Sequence, residues 1–210
     1  MFLMLRSVFA SQYQYRFALF TLLAALVAAA LLTMKAQAMS NNSPSIKIDF
    51  AQPDEIQNWI IVNDTVMGGR SAARIEIEQG QMYFYGDLSL QNNGGFASTR
   101  RIGESKAWSN QRKISLTLKG DGRQYQFRLR TSKNWDGVAY VANFKTNGEQ
   151  QTIVFSAADF TPQWRGRRVT NAPDLNFTDI QQIGFMLADK QPGRFQLAVK
   201  SIKQSTAVGK

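Results

Sequence analysis

Lys113-Ile-Ser-Leu-Thr-Leu-Lys119-Gly-Asp-Gly-Arg-Gln124-Tyr-Gln-Phe-Arg-Leu-Arg130 decides the fold. Ile114, Leu116 and Leu118 alternate with Ser115 and Thr117, and Tyr125, Phe127 and Leu129 alternate with Gln126, Arg128 and Arg130. A period of two puts one set of side chains on each face of an extended strand, so both runs are half-buried strands. Gly120-Asp121-Gly122 between them supplies the conformational freedom that a tight reversal needs. The two strands are therefore expected to be antiparallel, each with one apolar face.

Outward from this hairpin the same grammar continues in both directions. Upstream, strands are expected over Ile46–Phe50, Ile60–Asn63, Ala73–Glu78, Gln81–Leu90 and Phe96–Arg101. Downstream they are expected over Val138–Lys145, Gln151–Ser156, Gln182–Ala188 and Phe195–Lys203. Turn signals such as Gln79-Gly80, Asn147-Gly148 and Gln191-Pro192-Gly193 separate them, and helical periodicity is nearly absent. Eleven short strands without crossover helices imply an all-β antiparallel β-sandwich of jelly-roll type. Asp159–Asp179 is the one long stretch expected to be irregular, and it carries Trp164, Arg165, Arg167 and Arg168.

The N-terminus follows a different rule. Residues 1–16 contain Arg6 and Arg16 and no acid, residues 17–34 form an apolar run, and Lys35-Ala36-Gln37-Ala38 follows. A basic segment, an apolar core and an Ala-x-Ala site are the marks of a secretory signal peptide cleaved after Ala38. The 18-residue run also reaches the lower limit of a membrane span, which makes an uncleaved anchor the alternative. Both readings leave the basic end in the cytoplasm and place the remainder outside, in the periplasm or on the inner membrane facing it. The expected organisation is a targeting segment over 1–38, a linker over 39–45, a sandwich domain over 46–204 and a tail over 205–210.

Composition restricts the chemistry. The 210 residues include no His and no Cys. This excludes a Ser-His-Asp triad, a thiol nucleophile, disulfides and thiolate or imidazole metal sites. Function shifts from catalysis towards binding, with no cofactor expected. The chain carries 25 Lys and Arg against 15 Asp and Glu, and loss of residues 1–38 removes Arg6, Arg16 and Lys35, leaving 22 against 15. These cations are dispersed along strands with no recognition helix, so they argue for an acidic partner or membrane surface and against nucleic acid.

Three segments stand out. Asp64-Thr-Val-Met67-Gly68-Gly69-Arg-Ser71 places two glycines after a strand, with Asp64 and Ser71 able to cap turn amides. Asn93-Gly94-Gly95-Phe96 up to Arg100-Arg101 is a second Gly-rich turn, and Trp164-Arg165-Gly166-Arg167-Arg168 mixes an indole with three guanidiniums. The candidate binding residues are Asp64, Met67, Gly68, Gly69, Ser71, Asn93, Gly95, Arg100, Trp164 and Arg165, each also readable as a turn residue. Stacking on a glycan is the alternative use of Trp108, Trp135, Tyr140 and Trp164. Asp64, Asp87 and Asp136 are the acids that suggest a carboxylate pair, and no calcium-loop spacing is present.

Trp59, Asp64–Ser71, Phe84-Tyr-Gly86, Asn93–Ser98 with Arg100, Asp159-Phe160, Arg165-Gly166 and Ile183-Gly-Phe-Met-Leu187 together resemble the complex I intermediate-associated protein 30 family, over roughly Ile46–Ile202. The resemblance implies a galactose-binding-domain-like jelly roll and a non-catalytic role as an assembly factor for respiratory NADH:ubiquinone oxidoreductase, holding a protein partner. Its motif falls on Asp64, Met67, Gly68, Gly69, Ser71, Gly94, Gly95, Phe96 and Arg100. One departure is a location: assembly of that hydrophilic arm takes place on the opposite side of the membrane from the one this N-terminus implies.

Overall fold

The computed structural model describes residues 25–34, 45–102 and 108–206. Residues 25–34 are helical and exposed along their length, and the rest of the expected targeting segment and the segment 39–44 lie outside the described residues. Among the described residues no helix is long and apolar enough to cross a membrane.

Within 45–206 the chain is a two-sheet antiparallel sandwich, as alternation and the family resemblance both imply. The strands are β1 (Ser45–Asp49), β2 (Trp59–Asn63), β3 (Ala72–Glu78), β4 (Gln81–Leu88), β5 (Ala97–Arg101), β6 (Arg112–Gly120) and β7 (Gln124–Arg130). There follow β8 (Ala139–Lys145), β9 (Gln150–Phe155), β10 (Thr161–Trp164), β11 (Arg167–Arg168), β12 (Gln182–Leu187) and β13 (Gly193–Thr206). All eleven expected strands are present within a few residues of their expected limits. Within Asp159–Asp179, expected to be irregular, residues 169–176 are irregular as expected, while residues 161–168 instead fold as a hairpin of β10 and β11. Arg165 and Gly166 at its tip have φ of 46° and 77°, the two left-handed residues of a tight hairpin turn. Arg-Gly is not the Asn-Gly or Asp-Gly pair that announces such a turn in a sequence, which is why alternation across it is easily overlooked.

One sheet runs β3-β4-β13-β6-β9, with β1 joining β13 where β4 leaves it, and the other runs β11-β10-β8-β7-β12-β5-β2. The inner faces meet in an aromatic core. Phe127 on β7 lies 5.6 Å from Phe185 on β12, 5.5 Å from Phe155 on β9 and 5.8 Å from Phe160, while Trp59 stacks on Phe185 at 6.2 Å. Met82, Phe84, Leu116, Leu118, Leu197 and Val199 close it from the other sheet. Each such buried side chain contributes roughly 1.5–3 kcal/mol relative to exposure, so the odd-numbered residues of β7 are fixed inward. The even-numbered ones, Gln126, Arg128 and Arg130, are thereby forced onto the outer face of the seven-stranded sheet.

Candidate functional site

The expected binding residues divide into two groups at opposite ends of the seven-stranded sheet. Asp64, Gly68, Gly69, Ser71, Asn93 and Gly95 gather where β2 and β5 meet at Asn63 and Ala97. Arg100 lies farther along β5, on the way to Trp164 and Arg165 at the other end.

The first group is a clamp turned inward. Asp64 is fully buried. One of its oxygens accepts the Ser71 amide at 2.9 Å, and the other accepts the Ser71 hydroxyl at 2.6 Å and the Gly95 and Phe96 amides at 2.6 and 3.3 Å. Ser71 Oγ in turn accepts the Ser89 amide at 3.0 Å. A Cβ at Gly69 would sit 2.3 Å from Asp64 Cγ, and one at Gly94 would sit 2.5 Å from Asp64 Oδ2. Both positions must therefore be glycine for the two turns to close round one carboxylate. Burial alone raises the Asp64 pKa, but the Ser71 hydroxyl and the Gly95, Ser71 and Phe96 amides outweigh it and hold the carboxyl below its ordinary value. The polar atoms of Asp64 and Ser71 are spent on shaping the loop. What the clamp presents outward is Met67 with Val66, at 64% and 67% exposure, and Asn93.

The second group builds a face. In register across the seven-stranded sheet stand Val141, Arg128, Gly184, Arg100 and Ile60. Gly184 has no side chain to fill the row, and a Cβ there would lie 2.4 Å from the Thr99 carbonyl oxygen. The gap forms a shallow pocket of about 30 Å³, lined by Arg100, Arg128, Arg130, Gln182, Gly184 and Met186 among others. Arg130 and Gln182 pair in the neighbouring row. At the rim, Arg100 lies over the Trp135 ring at 4.8 Å and donates to the Trp135 carbonyl at 3.0 Å. Arg165 lies over Trp164 at 4.8 Å and pairs with Asp136 at 2.5 Å. That ion pair ties the hairpin tip to the loop after β7.

The floor carries unneutralised charge. Burial, and secondarily the neighbouring Arg100, push the Arg128 pKa down to about 10. Burial, then Arg100 and Arg128, push Arg130 down to about 10 as well, against the opposing effect of Asp136. Larger hollows exist, of about 730 Å³ on the outer face of the other sheet beside Arg74, Asp87 and Arg194, and about 590 Å³ beside Tyr140, Phe160 and Pro173. The first mixes both signs of charge, whereas the arginine floor has one sign only, which makes it the more selective surface.

Several residues of this face carry no mark of a binding site in the sequence. Arg128 and Arg130 are legible there only as the polar side of a strand, and Gln182 and Gly184 only as members of one. Two expected stacking residues are buried: Trp108 at 5% exposure and Tyr140 at 3%, its hydroxyl donating to the Pro173 carbonyl at 2.7 Å. Trp135 and Trp164, at 53% and 43%, are exposed. Asp64 lies in the clamp, Asp87 on β4 of the other sheet and Asp136 at the rim, and among the described residues no three acidic side chains converge as a cation site would require.

Comparison with known proteins agrees with this architecture. An uncharacterized protein of Schizosaccharomyces pombe is 26% identical over 178 residues, covering 73% of this chain and 81% of that protein. The mitochondrial complex I intermediate-associated protein 30 of Mus musculus is 27% identical over 177 residues, covering 73% of this chain and 53% of its own length. In structure the chain is similar to the family 11 carbohydrate-binding module of the cellulosomal cellulase Lic26A-Cel5E of Clostridium thermocellum, with a TM-score of 0.60 at 19% identity over 80% of this chain and 97% of the module. The model of the complex I intermediate-associated protein 30 family matches residues 48–199. That span includes the clamp, the arginine floor and the rim, and the chain belongs to this family.

Proposed function

We propose that the domain is a non-enzymatic binding module that holds a protein partner on the outer face of its seven-stranded sheet, in the manner of an assembly factor. The observation that carries this reading is the row Arg128–Gly184–Arg100 with Arg130 beside it, an open one-sign surface built on rigid strands. Strands hold a recognition surface with little loss of ordering entropy, which suits a protein that waits for its client. Family membership and the mouse relative, itself named for complex I intermediates, support an assembly-type role. The absence of His and Cys from the sequence supports binding over catalysis.

Affinity capture from detergent-solubilised membranes with the full chain tests it. The expected result is one reproducible set of partner proteins. Recovery of none removes the proposal.

A carbohydrate ligand is the second reading, favoured by the exposure of Trp135 and Trp164 at the rim. It expects hits on a glycan array and protection of tryptophan fluorescence by the matching sugar. On the basic N-terminus and apolar run of residues 1–34 we further propose export to the periplasmic side of a membrane. A fusion of alkaline phosphatase after residue 45 is then active, and an inactive fusion overturns that location.

A further inference from the structure

We infer that Arg100, Arg128 and Arg130 form a carboxylate-recognising site, in which an Asp or Glu side chain of an acidic polypeptide segment seats over Gly184. The inference rests on the protein-binding reading above and names the chemistry of the partner.

Donor inventory is the first argument. Each guanidinium has five N–H donors. Among the described residues each of the three commits only Nη1: Arg100 to the Trp135 carbonyl, Arg128 to Gln126 Oε1 at 2.7 Å and Met186 Sδ at 3.5 Å, and Arg130 to the Gly137 carbonyl. These tethers fix the orientation of the planar groups and leave Nε and Nη2 of each for a ligand. Fixed planar forks match the two oxygens of a carboxylate better than a flexible ammonium does.

Charge is the second. The described ion pairs join Arg101 to Glu55, Arg123 to Asp189 and Arg165 to Asp136, and none includes the three floor arginines. Among the described acids, Asp136 is the one whose charge acts on Arg100 and Arg130, and it is already engaged by Arg165. Three like charges thus share a partly desolvated trough, and an arriving anion relieves their mutual repulsion.

Size and the state of the rim select the class of partner. A pocket of about 30 Å³ admits a small charged headgroup, since a water molecule needs roughly 10–15 Å³ on the same scale. One face of each rim indole is covered by a guanidinium, Arg100 on Trp135 and Arg165 on Trp164. The rim therefore offers cations on aromatic backing more than bare stacking platforms, which favours an acidic peptide over an acidic glycan.

Titration calorimetry of the full chain in mild detergent with an alternating Glu-Gly peptide of about ten residues tests the site. The peptide is expected to bind, its Gln-Gly counterpart not to bind, and raising NaCl from about 50 to 300 mM is expected to weaken binding several-fold. Arg128→Gln is expected to lower affinity about tenfold or more, with Arg128→Lys between it and the native protein. Arg74→Gln, on the outer face of the other sheet, removes the same net charge and is expected to leave affinity unchanged. Equal loss in Arg74→Gln and Arg128→Gln reduces the effect to general attraction and overturns the site. So does equal binding of the Gln-Gly peptide, binding of an oligogalacturonate in its place, or no binding of the acidic peptide. A partner captured from membranes that survives Arg128→Gln also overturns it while leaving the binding-module reading intact, whereas capture of no partner strikes that reading itself.

Discussion

Asp64 shows how one side chain organises two distant loops, since its acceptors reach Ser71 and, 31 residues on in sequence, Gly95. Asp64→Ala leaves three backbone amides and a hydroxyl without their acceptor in a buried place, and is expected to cost about 3 kcal/mol in chemical denaturation. A pH dependence follows. A carboxyl whose folded pKa is lowered contributes stability that is present above its unfolded value of about 3.9 and is lost as pH falls through the lower folded value. Asp64 is one such group. Asp189 is another: burial raises its pKa, but the Arg123 guanidinium and the Gln191 amide more than reverse that. Urea midpoints are therefore expected to fall below about pH 4, and Asp64→Asn, already destabilised at neutral pH, to show a flatter acid limb. The floor arginines have the opposite sign. Replacing Arg128 with Leu removes a desolvated, repelled charge and is expected to stabilise the unliganded protein by about 1 kcal/mol, raising Tm by about 2–4 °C. At this scale turn chemistry in the sequence marks Asp64, Gly69, Ser71 and Gly95 as special. It does not show that Asp64 faces inward, because its acceptors are filled by residues brought in from another strand.

Two element junctions hold the ends of the seven-stranded sheet. Near its rim, Arg101 on β5 pairs with the buried Glu55 at 2.6 Å, and Glu55 also accepts the Trp59 indole N–H at 3.1 Å. This anchors the 3-10 turn Pro53–Asn58 to β2 and β5. Glu55→Ala strands the Arg101 charge and is expected to cost about 3–5 kcal/mol, measured by equilibrium unfolding. The β10–β11 hairpin depends on backbone conformation instead. Gly166 has φ +77° and open space where a Cβ would go, so Gly166→Val is expected to cost about 1–2 kcal/mol through the backbone alone. Hydrogen exchange is the suitable probe: protection should fall at Val169, whose amide donates to the Pro162 carbonyl at 3.0 Å, while the amides of β7 and β12 keep theirs. Strand β7 is legible from its alternation alone. The hairpin and the role of Glu55 are not, since a two-residue strand has no period to detect and a lone Glu ahead of a strand is ordinarily solvated.

At the scale of the molecule, residue order alone settles the class of fold. A period of two, repeated between turn residues, dictates strands with one apolar face, and such strands are buried only by pairing antiparallel and packing sheet on sheet. It also determined which residues of each strand turn outward, because burying Phe127 and Phe185 compels Arg128 and Gly184 to the far side. The tertiary structure alone decided which outward residues are neighbours. Arg100 and Arg128 flank Gly184 because β12 lies between β5 and β7, an order that is set by non-local pairing and the fit of two inner faces. No local pattern encodes it, since a strand's own residues state its period and its faces while its neighbours are chosen by the packing of the rest of the chain. The clamp at one end, the arginine floor and the tryptophan rim at the other are consequences of that choice.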